Sequence, residues 1–204
     1  MKILNVEQNS EEWIQARKGK ITGSKLGGIV VKRGNNKKIG YYELMAERIA
    51  IQEPYEDPME RGHRLEEEAI ELFQTKYSKN IEQIGLCISD ANPDIALSPD
   101  GLIKIDGKYL QAIEVKCLSS ANHLRAYFEN EIPSDYYEQV IQYFIVDEDL
   151  QKLYFVFYDP RVTILPMFYI EVKRSEVEDD IKFLLEYQQN TLKEIDEQLS
   201  KLAF

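Results

Sequence analysis

The chain has 204 residues, 44% of them hydrophobic, which suits one buried core and a single domain over residues 1–204. No apolar run approaches the roughly 20 residues of a membrane-spanning helix. The opening residues lack the apolar stretch of a secretory signal, and two cysteines, Cys87 and Cys117, are too few for a zinc or iron–sulfur cage, so the expectation is a reduced, cytoplasmic protein.

A net charge of −11 speaks against a polyanionic partner until its distribution is considered. Residues 14–38 contain eight Lys or Arg and no Asp or Glu, so all 36 acidic residues lie elsewhere. That segregation fits a basic contact surface on an acidic body; for a charge run alone, a solvated lysine-rich loop is the plainer reading.

In chain order, Asn9 with Glu12 three residues later reads as a capping box opening a first helix that carries Trp13 and Arg17. "SKLGGIVV" and "YYELMAERIAIQ" read as two further helices, and Pro54 and Pro58 punctuate before a long helix, "RGHRLEEEAIELFQTKYS". Strands are expected at 81–89, 94–98, 101–105 and 109–117. A helix follows near 135–146, then the strands "KLYFVFY" and "MFYIEVK", and an acidic amphipathic helix over about 175–204. This order predicts an α/β (α+β) domain with a mixed sheet flanked by helices.

Two elements carry acids in places that ask for a reason. Asp106-Gly107 is a two-residue hairpin turn, and on its outgoing strand Glu114 and Lys116 share one face while Ile113, Val115 and Cys117 share the other. Asp100 stands at the end of the partner strand. On the helix at 61–78, a turn of about 100° per residue puts Leu65, Ala69, Leu72, Phe73, Tyr77 and Ile70 on one apolar arc. Of its four glutamates, only Glu66 falls inside that arc, while Glu67, Glu68 and Glu71 fall outside it. A buried carboxylate is costly unless paired or bound to a metal; both readings of Glu66 stand. Together, Asp100, Glu114, Glu66 and the Val115 carbonyl form an oxygen-only ligand set suited to Mg²⁺, with Mn²⁺ able to substitute. Lys116 is placed to orient and deprotonate a water that attacks phosphorus.

"SPDGLI" followed by "IEVK" resembles the PD-(D/E)xK nuclease motif, and the whole chain resembles the lambda exonuclease and YqaJ-type viral recombinase branch over roughly residues 10–173. "EEWIQARKGKITGSKLGGIV" is similar to that branch's Trp-x-x-x-Arg…Thr-x-Ser opening, and "RGHRLEEEAIELF" to its Arg-Gly-x-x-x-Glu helix, with Glu66 at the acidic position. "YYEQVIQYFIV" resembles its Gln-bearing helix, and "FYDPR" a late strand–turn segment.

The resemblance implies a restriction-endonuclease-like core and a Mg²⁺-dependent exonuclease on double-stranded DNA ends. Such enzymes degrade the 5′ strand and leave 3′ single-stranded tails for an annealing protein, and members form homotrimeric rings. It further implies metal binding by Asp100 and Glu114 with help from Glu66, and service of the water by Lys116. Gln139 would hold the water or the scissile phosphate, with Tyr143 in support. Arg17 and Ser24 would grip a 5′-terminal phosphate. Each has a structural alternative: Trp13 and Tyr143 as core packing, Ser24 as a helix cap, Arg17 paired with a carboxylate, Gln139 solvated. His63 and His123 receive no role. The competing functions are an endonuclease or RNA-directed nuclease of the same fold, and a non-catalytic DNA-binding scaffold.

Overall fold

The structure is a computed structural model, and it describes residues 6–51 and 57–202. Its centre is a five-stranded sheet in the order β1-β4-β5-β6-β7, formed by Ile81–Glu82, Gly101–Ile105, Lys108–Lys116, Lys152–Tyr158 and Met167–Lys173. β5 and β6 run parallel; every other pair in the sheet is antiparallel. The sheet is mixed and helix-flanked, as expected. Asp106 and Gly107 take φ of 51° and 86°, the left-handed pair that a tight hairpin between β4 and β5 demands.

The stretch 81–89 departs from the single strand expected of it. Only β1 joins the main sheet, while β2 (Cys87–Ile88) pairs with β3 (Ala96–Leu97) in a separate two-stranded ribbon.

Helix α4 (Pro58–Tyr77) lays Leu65, Ala69, Ile70 and Phe73 against Ile103, Ile113, Val115, Tyr154 and Val156 on one face of the sheet. Asp57 caps it, accepting from the amides of Met59 and Glu60. The expected arc is observed: Leu65 and Phe73 are buried, Glu66 is half-buried, and Glu67, Glu68 and Glu71 are exposed. The other face is covered by α6 (Tyr137–Val146) and α7 (Glu178–Ser200), whose apolar residues pack with Leu102, Ala112, Leu153, Phe155 and Phe157. Because β5 and β6 are parallel, the chain must cross over between them, and it does so through α5 (Ser120–Glu129) and α6.

The N-terminal third adds α1 (Glu11–Arg17), α2 (Gly23–Ile29) and α3 (Ile39–Ile49). α1 and α2 bury no residue, whereas α3 buries Tyr42 and Leu44. Ser10, not Asn9, caps α1: its hydroxyl accepts from the Trp13 amide, while Asn9 takes a left-handed φ of 67°. The pattern placed the cap one residue early. Pro54 and Gln52 lie outside the described residues. Among the described residues no helix is long and apolar enough to cross a membrane, and both cysteines are free.

Candidate active site

The register of the β4–β5 hairpin builds the site. Gly101 pairs with Ile113, so the next step places Asp100 opposite Glu114, with both side chains on one face of the sheet. Gly101 is required here by contact: a Cβ would sit 2.2 Å from Ile81 Cγ2 and 2.9 Å from Ile113 Cγ2. Two carboxylates directly across a sheet repel, and these are withdrawn from water, Glu114 being 1% exposed.

Their partners come from the same strand and from α6. The Val115 amide donates to Asp100 Oδ2 at 2.7 Å. Lys116 Nζ pairs with Glu114 Oε1, and Gln139 Nε2 donates to the same oxygen at 2.7 Å. The Tyr143 hydroxyl donates to Glu114 Oε2 and accepts from the Asp100 amide at 3.3 Å. Gln139 and Tyr143 stand four apart on α6, hence on one helix face, and both reach the strand residue Glu114.

Electrostatics record the crowding. The Asp100 carboxyl is pushed up to about 7, first by burial and then by the charges of Glu114 and, more weakly, Glu66. The Tyr143 hydroxyl is raised well above its ordinary value by burial and by the Glu114 and Asp100 charges, which keeps it a donor. The concentrated negative charge is what a divalent cation relieves.

Glu66 enters from the other side of the sheet edge. It lines a cleft of about 410 Å³ together with His63, Val115, Lys116, Cys117 and Tyr136. No group of three or more His, Cys, Asp or Glu side chains among the described residues could by itself enclose a metal. Mg²⁺ keeps several waters and takes one or two protein carboxylates. Asp100 and Glu114, with the Val115 carbonyl, would hold it; Glu66 lines the cleft together with Val115 and Lys116, and its charge is felt at Asp100.

Arg17 and Ser24 form a second group. The Arg17 guanidinium donates to Ser24 Oγ at 3.1 Å and to Thr22 Oγ1 at 3.3 Å, and stacks 4.2 Å from the Trp13 ring centroid. Ser24 is therefore not the cap of α2: Thr22 occupies that position. Trp13, on a helix with no buried residue, is a platform for Arg17 rather than a core residue. Gln139 is bonded to Glu114 rather than merely solvated, and Tyr143 serves core and site together, being 1% exposed.

Sequence reasoning passed over three residues. Tyr136 packs its ring 5.1 Å from the Lys116 ammonium. Arg61 and Asp159 form a buried ion pair at 2.9 Å just behind the cleft. Arg61 lies within the Arg-Gly-x-x-x-Glu segment and Asp159 within "FYDPR", so the motifs contained both. Nothing local shows that residues 98 apart meet.

The YqaJ-like viral recombinase domain matches residues 12–148. The fold is similar to the structure titled LHK-Exo in complex with dAMP, at 25% identity and a TM-score of 0.56, covering 95% of this chain and 100% of that one. It is similar also to the alkaline exonuclease LHK-Exo from Laribacter hongkongensis, at 24% identity and a TM-score of 0.57, with the same coverage of each chain. No curated protein matched by sequence. A domain match across most of the chain and a shared fold support a nuclease acting in recombination, and the chain belongs to the family of YqaJ-like viral recombinase domains.

Proposed function

We propose that the protein is a Mg²⁺-dependent exonuclease that degrades the 5′ strand from double-stranded DNA ends. The observation that carries this reading is the set of Asp100, Glu114, Lys116 and Gln139 converging beside the cleft, with Asp100 pushed up to about 7. Bound Mg²⁺, for which Mn²⁺ can substitute, would lower the pKa of a water and neutralise phosphoryl oxygens. Asp100 and Glu114 would hold the ion and Lys116 would orient the attacking water; Gln139 and Tyr143 donate to the Glu114 carboxylate and fix it.

The dAMP of the solved relative is a deoxynucleoside monophosphate, which favours DNA over RNA as the substrate. Arg17 and Ser24 present a guanidinium and a hydroxyl suited to a terminal 5′ phosphate. On the family resemblance, the products are 3′ tails passed to a single-strand annealing protein, the working form is a homotrimer, and the setting is the cytoplasm.

The test uses one duplex in three forms: linear with 5′ phosphate, linear with 5′ hydroxyl, and covalently closed circular. Lost charge-assisted hydrogen bonds cost about 1.5–3 kcal/mol each, so the phosphorylated end should be digested roughly tenfold or more faster. The circle should survive, and Arg17→Ala should shrink the phosphate preference. A circle cut as readily as linear DNA would make the protein an endonuclease instead.

A further inference from the structure

Two elements with no shared backbone ladder face each other across the cleft: β5, which carries Glu114 and Lys116, and α4, which carries Glu66; Leu118, Ser119 and Tyr136 line it as well. Resting on the metal-site reading above, we infer that Arg61 is a positioning residue that sets Glu66 against the Asp100–Glu114 pair. Arg61 lies in the first turns of α4, five residues before Glu66, and is 7% exposed. One of its terminal nitrogens donates to Asp159 Oδ1 at 2.9 Å; the other donates to the Cys117 carbonyl at 3.1 Å. Cys117 directly follows Lys116, so a single planar fork ties α4 to the exit of the catalytic strand and to the end of β6.

The anchor is buried and bonded on both oxygens. Asp159 is fully buried and also accepts from Ser120 Oγ at 2.6 Å and from Arg161 Nε at 2.8 Å. Although burial alone would raise it, the hydrogen bonds from Arg161 and Ser120 and the nearby guanidinium charges keep its carboxyl below the ordinary value. Arg161 bonds the Leu118 carbonyl but makes no bond to α4 among those described. The network therefore has two arginines, of which Arg61 reaches the helix that bears Glu66. A lysine retains the charge at this position but has no fork with which to bridge Asp159 and the Cys117 carbonyl. Groups bonded directly to a metal ligand typically govern 10–100-fold in metal affinity; among the described residues, Arg61 bonds none of the three acids and acts one step further out, through the placement of α4.

The experiment titrates Mn²⁺ into the purified full chain by calorimetry, without DNA, comparing wild type, Arg61→Lys, Arg161→Lys, Glu66→Ala and the double variant Arg61→Lys/Glu66→Ala. Asp100→Ala marks the loss of the site itself, and circular dichroism establishes that each variant is folded. If Arg61→Lys does not fold, Arg61→Gln replaces it. Arg61→Lys should weaken Mn²⁺ binding about tenfold or more, Arg161→Lys by far less, and the Arg61 effect should vanish in the Glu66→Ala background. Unchanged binding in Arg61→Lys, equal losses in both arginine variants, or a loss that persists without Glu66 overturns the inference. Wild type that binds no Mn²⁺, or binding that Asp100→Ala leaves intact, overturns the metal-site reading beneath it.

Discussion

Tyr143 shows at the scale of one residue how packing and chemistry are combined. Its ring is core, yet its hydroxyl bridges Glu114 and the Asp100 backbone. Tyr143→Phe keeps the volume and removes the bridge, leaving a buried Glu114 oxygen without its donor. The expected result is a 10–100-fold drop in Mg²⁺-dependent cleavage with the fold retained; melting curves alongside rates separate the two. Asp100 supplies the pH dependence. Raised to about 7 from 3.8, it favours the metal-free fold fully below its unfolded value and loses that contribution as pH rises through 7. A bound cation reverses the trend, because it requires the carboxylate. Mg²⁺ should therefore raise the melting temperature more at pH 8.5 than at pH 5.5. Equal increments at the two pH values would remove Asp100 from the metal site.

At the scale of elements, the hairpin, α4 and the two C-terminal strands were legible because their patterns are local: Asp-Gly fixes the turn, period 3.6 fixes the buried arc, period 2 fixes the faces. Helix α5 was not expected. Its buried residues are Ser120, Ala121, His123, Leu124 and Ala126, mostly small or polar, while Tyr127 and Phe128 point outward, so it shows no aliphatic stripe. The division of 81–89 between two sheets was hidden as well, since alternation does not say which partner a strand takes. In the candidate site, the faces on which Asp100, Glu114 and Glu66 lie were legible from pattern, whereas the bonds from Gln139 to Glu114 and from Arg61 to Asp159 join distant segments. Gly101 gives the test at this scale. Gly101→Ala drives a methyl into Ile81 and should cost about 1–3 kcal/mol as overpacking. Ile81→Ala in the same chain, which removes the opposing Cγ2, should make the two changes less than additive by chemical denaturation. Full additivity would mean that the β1–β4 contact is looser than described.

For the molecule as a whole, charge segregation links fold to partner. The acidic chain places a basic stretch on α1, α2 and the loop after them, helices that bury no residue. Some of that charge is internally paired, as Lys25 is with Glu47 at 2.5 Å, but Lys20, Lys32, Arg33 and Lys37 are exposed. If this face meets DNA, affinity should fall with salt by a slope near −0.9 per phosphate contacted. Lys32→Ala/Arg33→Ala should then flatten that slope while leaving Mn²⁺ binding unchanged.

The central proposal is that Asp100 and Glu114 would hold the ion needed to hydrolyse DNA from its 5′ ends. Its most direct measurement is the release of label from a linear 5′-phosphorylated duplex, tagged at either end, by wild type and Asp100→Asn in Mg²⁺, with DNA binding followed in parallel. The account predicts that wild type frees the 5′ label first, as mononucleotide, and that Asp100→Asn binds the duplex but releases none. Cleavage by Asp100→Asn at the wild-type rate, or wild-type activity that persists in excess EDTA, would contradict it.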